Sequence, residues 1–235
     1  MPFRSERVAA VVVAAGRSQR LGQDKTLLRL GGKPLLTWSV ETLEASPLVD
    51  AIVLVVAESN QEVACRMATE RGWTKLIDIV RGGASRSESV RHGLAKTEGY
   101  QWVLIHDAAR PFLDQEMIER GLVAATETGA ALAAVPVKDT IKVVSPDKRV
   151  LDTPPREALW AAQTPQIFRR DLIWQAHQQA TGPATDDAYL LEARGQPVLI
   201  FFGSYENLKV TTPDDVELAR AIAARREENA DWPRV

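Results

Sequence analysis

The sequence predicts an α/β fold: a doubly wound, mostly parallel sheet, from which a β-arm projects. Three observations lead there. Short β-branched apolar runs recur along the chain, amphipathic helical stretches separate them, and polar clusters rich in glycine or arginine follow several of the runs.

The runs are AAVVVAA (9–15), AIVLVVA (51–57), LIDIV (76–80), WVLIHD (102–107), AALAAVPV (130–137) and PVLIFFG (197–203). The first is too short to cross a membrane, which takes about 20 apolar residues. It reads as a central strand buried on both faces. Between runs, PLLTWSVETLEAS (34–46) places Leu35, Trp38 and Leu43 on one helical face, and SRSESVRHGLAKT (85–97) opens with Ser85 and Glu88 in capping-box register. The last helix starts at TTPDDVELAR, with Thr212 as N-cap, Pro213 at the first helical position and two acids facing the dipole. Strands alternating with helices imply right-handed crossovers.

Residues 138–160, KDTIKVVSPDKRVLDTPPREALW, break the rhythm. They read as two short polar strands around an SPDK turn, too polar for a central strand. A projecting arm gives Ile141, Val143, Val144, Val150 and Leu151 a reason to be apolar, provided something covers them. The tail is expected to fray beyond Glu228.

At 235 residues the chain is expected to form one domain, 1–235, that includes the arm. An apolar share of 45%, a charged share of 26% and a net charge of −2 describe an ordinary globular protein with no global field for nucleic acid or an anionic membrane. Neither is expected as a partner. The single cysteine, Cys65, excludes an internal disulfide, and His92, His106 and His177 lack metal-ligand spacing, so a structural zinc site is not expected. A secretory reading of MPFRSERVAAVVVAAG would remove the first strand by cleavage near Ala15, so a cytoplasmic location is expected.

In an open α/β sheet, ligands bind outside the carboxyl ends of the strands. There the sequence places Gly16 in AAGRSQRLG, then RGGASRSES, then the AARP that follows WVLIHD. Small residues at 14–16 let backbone N–H groups approach a phosphate, and Arg20 and Lys25 add positive charge. The Walker pattern fails, because Gly16 and Gly22 lie six apart and Gln23 follows. The dinucleotide fingerprint GxGxxG fails too, which disfavours a nicotinamide-dependent oxidoreductase. A buried strand ending in Asp107 needs something to hold that carboxylate.

Taken together, AAG with a following Arg and Lys, GGASRSES, HDAARP, DTIK, QTPQ, TDD and NLKVTTPDD span nearly the whole chain. In that order they resemble the 2-C-methyl-D-erythritol 4-phosphate cytidylyltransferases of the nucleotide-sugar pyrophosphorylase superfamily. The resemblance implies transfer of CMP from CTP to methylerythritol phosphate. The products are 4-diphosphocytidyl-2-C-methyl-D-erythritol and pyrophosphate, in the non-mevalonate route to isoprenoids, with Mg²⁺ held mainly through CTP phosphates. Two rivals stay open. RLGQDK resembles the RMGxDK of molybdenum-cofactor guanylyltransferases, and HDAARP is similar to the HDAVRP of ribitol-5-phosphate cytidylyltransferases. A non-catalytic nucleotide-binding regulator would share the fold without releasing pyrophosphate.

Residue by residue, the resemblance implies that Arg20 and Lys25 stabilise charge on the triphosphate and that Lys209 reaches the reacting phosphates from the far side. Ala14, Ala15, Gly16, Gly82, Gly83, Ala84, Ser89, Asp107 and Ala108 would hold the nucleotide. Ser89 and the backbone at 82–84 would read cytosine, and Asp107 would stand near the ribose and Mg²⁺. Arg110, Thr140, Thr164 and Thr185 would line the acceptor site. Arg156 would reach into the neighbouring subunit's pocket of a homodimer formed through the arm. His92 and His106 are expected to be structural, because a phosphate monoester is already ionised at neutral pH and needs no histidine base.

Overall fold

The computed structural model describes residues 5–16, 28–180, 182 and 184–231. Arg20 and Lys25 therefore lie outside the described residues. In chain order the elements are β1 (Val8–Ala14), β2 (Arg29–Leu30), β3 (Lys33–Pro34), α1 (Leu35–Ala45), β4 (Ala51–Val56), α2 (Gln61–Arg71), β5 (Leu76–Arg81), α3 (Arg86–Leu94), β6 (Trp102–Asp107) and α4 (Gln115–Thr128). They continue with β7 (Ala130–Pro136), β8 (Val143–Val144), β9 (Val150–Asp152), β10 (Trp160–Arg169), α5 (Arg170–Gln179), α6 (Asp187–Glu192), β11 (Leu199–Phe202) and α7 (Pro213–Asp231).

Seven strands form one sheet in the order β11-β7-β10-β6-β1-β4-β5. β1 pairs in parallel with both β4 and β6, β4 with β5, and β7 with β11. The all-apolar runs at 8–14 and 51–56 are thereby explained: each strand is covered on both faces, and β4 is wholly buried. The order of strands reverses at β1, so the crevice beside the carboxyl ends of β1 and β6 is the topological switch point.

α3 packs across β1 and β4 because Gly93 leaves room. A methyl group at that position would overlap Val11 Cγ1 and crowd Val55 Cγ2. Ser85 caps the helix, its Oγ accepting from the Glu88 N–H at 3.1 Å, as the sequence predicts. The reciprocal half of the box is displaced by one residue, since Glu88 Oε2 accepts from the Ala84 N–H at 2.6 Å. At α7, Thr212 Oγ1 accepts from the Asp215 N–H at 3.3 Å and Pro213 opens the helix. No helix among the described residues is long and apolar enough to cross a membrane.

One strand is not legible in the sequence reading. WAAQTPQIFR forms the ten-residue β10, antiparallel to both β6 and β7 in the middle of the sheet. Its polar Gln163, Thr164 and Gln166 hide a strand signal, yet all three are buried, because each finds hydrogen-bond partners inside.

β8 and β9 pair antiparallel, and the turn at 145–148 closes with the Lys148 N–H donating to the Ser145 carbonyl at 2.9 Å. Ile141, Val143, Val144, Val150 and Leu151 are all exposed, from 40% at Ile141 to 66% at Leu151.

Candidate active site

β6 is buried along its whole length, and its last two residues are polar. His106 is fully buried with two partners. Its Nε2 lies 2.9 Å from the Arg110 carbonyl, which can only accept, so Nε2 carries the proton. Nδ1, 3.1 Å from Thr164 Oγ1, then accepts from that hydroxyl. Thr164 Oγ1 in turn accepts from the Asp107 N–H at 3.0 Å. Burial pushes the His106 imidazole down to about 4, so it is neutral at pH 7 and holds Thr164 in place, the structural part expected of it.

Asp107 has a side chain only 9% exposed and two cationic partners: Lys209 Nζ at 2.6 Å on one oxygen and Arg86 Nε at 2.9 Å on the other. Burial alone would raise its carboxyl. Arg86, then Lys209, overcome that and hold it well below the usual carboxylate range. Asp107 is thus anionic throughout the physiological range. It does not cap the following turn with its side chain; its carbonyl accepts the Arg110 N–H instead.

Lys209 arrives from the loop before α7, which is anchored by the fully buried Asn207. Asn207 Nδ2 donates to the Thr164 carbonyl at 2.8 Å, and its own carbonyl accepts from Arg110 Nη1 at 2.8 Å. Burial lowers the Arg110 guanidinium from its ordinary value, and its Nε has no hydrogen-bond partner among the described residues. Arg110, Arg86 and Lys209 set against Asp107 and Asp187 leave one positive charge in excess, which suits polyanionic substrates.

On the other side of β1, the loop after β5 lies against the strand end. A methyl group at Gly82 would overlap the Ala15 methyl, so only glycine allows this approach. Ala15, Gly82, Gly83, Ala84, Glu88 and His92 help line a cleft of about 730 Å³. Ser89 is buried: its Oγ accepts from the Gly83 N–H at 3.0 Å and donates to the Ser85 carbonyl at 2.9 Å. It shapes the glycine loop from within. Ala14 and Ala108 are buried, Ala108 donating to the Val13 carbonyl, and Gly16 is exposed.

Asp107, Thr164, Arg110 and Lys209 are therefore brought together, and Ala15 meets the loop at 82–84. The remaining acceptor-side residues are not drawn into this cluster within one chain. Thr140 and Thr185 are exposed. Arg156, in a short turn after β9, donates to the Lys138 carbonyl at 3.2 Å. The sequence reading missed Arg86, Asp187 and His177. A signal was there for Arg86: a cation in the first turn of a helix opposes the dipole unless carboxylates hold it.

The seven-stranded sheet, its switch-point crevice and the cationic cluster around Asp107 define a Rossmann-like nucleotidyltransferase. The chain belongs to the 2-C-methyl-D-erythritol 4-phosphate cytidylyltransferase family, whose profile it matches over residues 8–225. It is 48% identical over 221 residues to the protein of that name from Dehalococcoides mccartyi, covering 94% of this chain and 97% of the relative. A namesake from Desulforamulus reducens is 44% identical over 227 residues, covering 93% and 97%. Among solved structures, the 4-diphosphocytidyl-2C-methyl-D-erythritol synthase of Anaerococcus prevotii superposes with a TM-score of 0.85 at 28% identity, covering 94% of this chain and 97% of that one. The cytidylyltransferase of Thermus thermophilus superposes at 0.78 with 32% identity, covering 93% and 99%.

Proposed function

We propose that this protein transfers CMP from CTP to 2-C-methyl-D-erythritol 4-phosphate, releasing pyrophosphate. The observation that carries the reading is the Lys209–Asp107 pair at the switch point, which joins the HDAARP and NLKVTTPDD motifs in one crevice. A phosphate oxygen of the acceptor attacks the α-phosphorus of CTP in line, the new P–O bond forms, and the bond to the β-phosphate oxygen breaks. The electron pair leaves with pyrophosphate. Two polyanions must meet, so positioning and charge neutralisation dominate. Arg20, Lys25 and Lys209 supply the neutralising charge, the cleft by Ala15 and residues 82–84 receives the base, and Arg110 faces the acceptor, with Thr164 serving it from the buried side through its bonds to Asp107 and His106.

The donor set fits Mg²⁺. Among the described residues no three metal-binding side chains cluster, and Asp107 offers one carboxylate whose oxygens each keep a lone pair beyond the N–H partners shown. Mg²⁺ commonly takes one or two carboxylates plus substrate phosphates, and bound there it would offset triphosphate charge. Thr140, Thr185 and Arg156 complete the acceptor site. Arg156 does so across a two-fold dimer in which paired arms cover the exposed apolar residues. The reading includes a cytoplasmic location.

The test is pyrophosphate release with CTP, GTP, ATP and UTP crossed with methylerythritol phosphate, ribitol phosphate and molybdopterin. Fastest turnover of CTP with methylerythritol phosphate is expected. Preference for GTP with molybdopterin, faster use of ribitol phosphate, or no release at all would each overturn the reading.

A further inference from the structure

The charged chain does not stop at Asp107. Arg86 is the first residue of α3, where the helix dipole works against a cation, yet two carboxylates hold it: Asp107 Oδ1 at 2.9 Å and Asp187 Oδ2 at 2.8 Å. Asp187 is 1% exposed and opens α6. Its other oxygen accepts from Nε2 of the buried His177 at 3.1 Å. Five side chains thus run in series, from Lys209 through Asp107, Arg86 and Asp187 to His177.

The two cations on Asp107 differ. Lys209 has a side chain 40% exposed and, among the described residues, pairs with Asp107 alone, whereas Arg86 is gripped from both sides. As Lys209 turns its ammonium toward phosphates, its hold on Asp107 weakens. A carboxylate this buried then needs its other partner to stay.

We infer that Asp187 is a positioning residue: by holding Arg86 from behind, with His177 bracing it, Asp187 keeps Asp107 oriented and charge-compensated when Lys209 moves to the reacting phosphates. This role rests on the cytidylyl-transfer reading. Asp187 touches no substrate and acts only through Arg86.

That dependence is what the experiment reads. Asp187→Asn, Arg86→Gln and the double variant are compared with wild type for kcat, both KM values and Tm, using CTP and methylerythritol phosphate. Asp187→Asn is expected to lower kcat roughly 10- to 100-fold, the range for losing an outer-shell orienting partner, with KM for CTP changed less than about threefold. In the Arg86→Gln background the same substitution should change kcat by less than about twofold, because its means of action is already gone. Losses that multiply, or a kcat unchanged by Asp187→Asn, would overturn the role. Should Asp187→Asn fail to fold, His177→Gln leaves both carboxylates in place and enters the same cycle, with a smaller loss of kcat that Arg86→Gln again absorbs. An inactive wild type would overturn the reaction and this role together; an active wild type with multiplying losses would overturn the role alone.

Discussion

At the end of β6, Asp107 and Asp187 are buried, and every oxygen of the two carboxylates meets an N–H from the same chain. On the β8–β9 ribbon the awkward groups are apolar, and the chain leaves them in the open, with Leu151 66% exposed. A two-stranded ribbon is marginal in water unless it packs on something. The contrast is between two buried carboxylates that the chain compensates itself and an apolar ribbon surface fit for a partner.

The largest effect should come from breaking the crevice. Lys25→Ala or Lys209→Ala is expected to lower kcat about 100- to 1000-fold, the range for deleting one preorganised donor, with little change in Tm for Lys25→Ala and a lowered Tm for Lys209→Ala, which strips the buried Asp107 carboxylate of a partner. Near-normal turnover would return either lysine to the solvated surface. The next test asks whether the arm completes a site. An inactive Arg156→Ala chain mixed with an inactive Lys25→Ala chain should regain roughly a quarter of wild-type activity, since half the dimers would carry one intact composite pocket. No recovery under verified subunit exchange would place both residues in one chain's site. The arm can also be attacked directly: Leu151→Lys with Val144→Lys should shift sedimentation from dimer to monomer, and an unchanged dimer would mean that other surfaces hold the chains together.

The smallest effect sharpens the crevice side through pH. His106 titrates near 4 when folded, against about 6.5 when unfolded, so the unfolded chain binds more protons between those values. Stability is fully present above about 6.5 and falls as pH drops toward 4, by about 1 kcal/mol between pH 7.5 and 5.5. Urea midpoints should show this slope, and His106→Gln should flatten it. A midpoint independent of pH in wild type would mean that the imidazole is not buried neutral.

The same contrast explains what the sequence revealed. Runs such as AIVLVVA are legible because burial on both faces demands apolar residues without interruption, and β4 follows that run to within one residue. β10 escaped because its middle is polar and its neighbours satisfy it; hydrogen bonds made far along the chain leave no local period to read. Asp107 was visible as a carboxylate ending a buried strand. Its cationic partner Arg86 and the buried Asp187 behind it were not, because the three come from β6, α3 and α6, and nothing in their spacing foretells that they meet. Ser89 was readable as part of the glycine loop, but its hydroxyl faces inward to Gly83 and Ser85.

β10 continues directly from the arm, so the candidate acceptor residues Thr140, Arg156 and Thr164 all fall within residues 140–164, while the glycine loops at 14–16 and 82–84 lie outside that stretch. Inheritance can therefore treat the acceptor side largely as a cassette. Recombination at two breakpoints could exchange these three candidates, with Arg110 and Thr185 left outside, and leave the glycine loops as they were. Divergence toward a different polyol phosphate would then be written first in those residues, and a chimera carrying them from a relative with another acceptor would inherit much of that relative's taste.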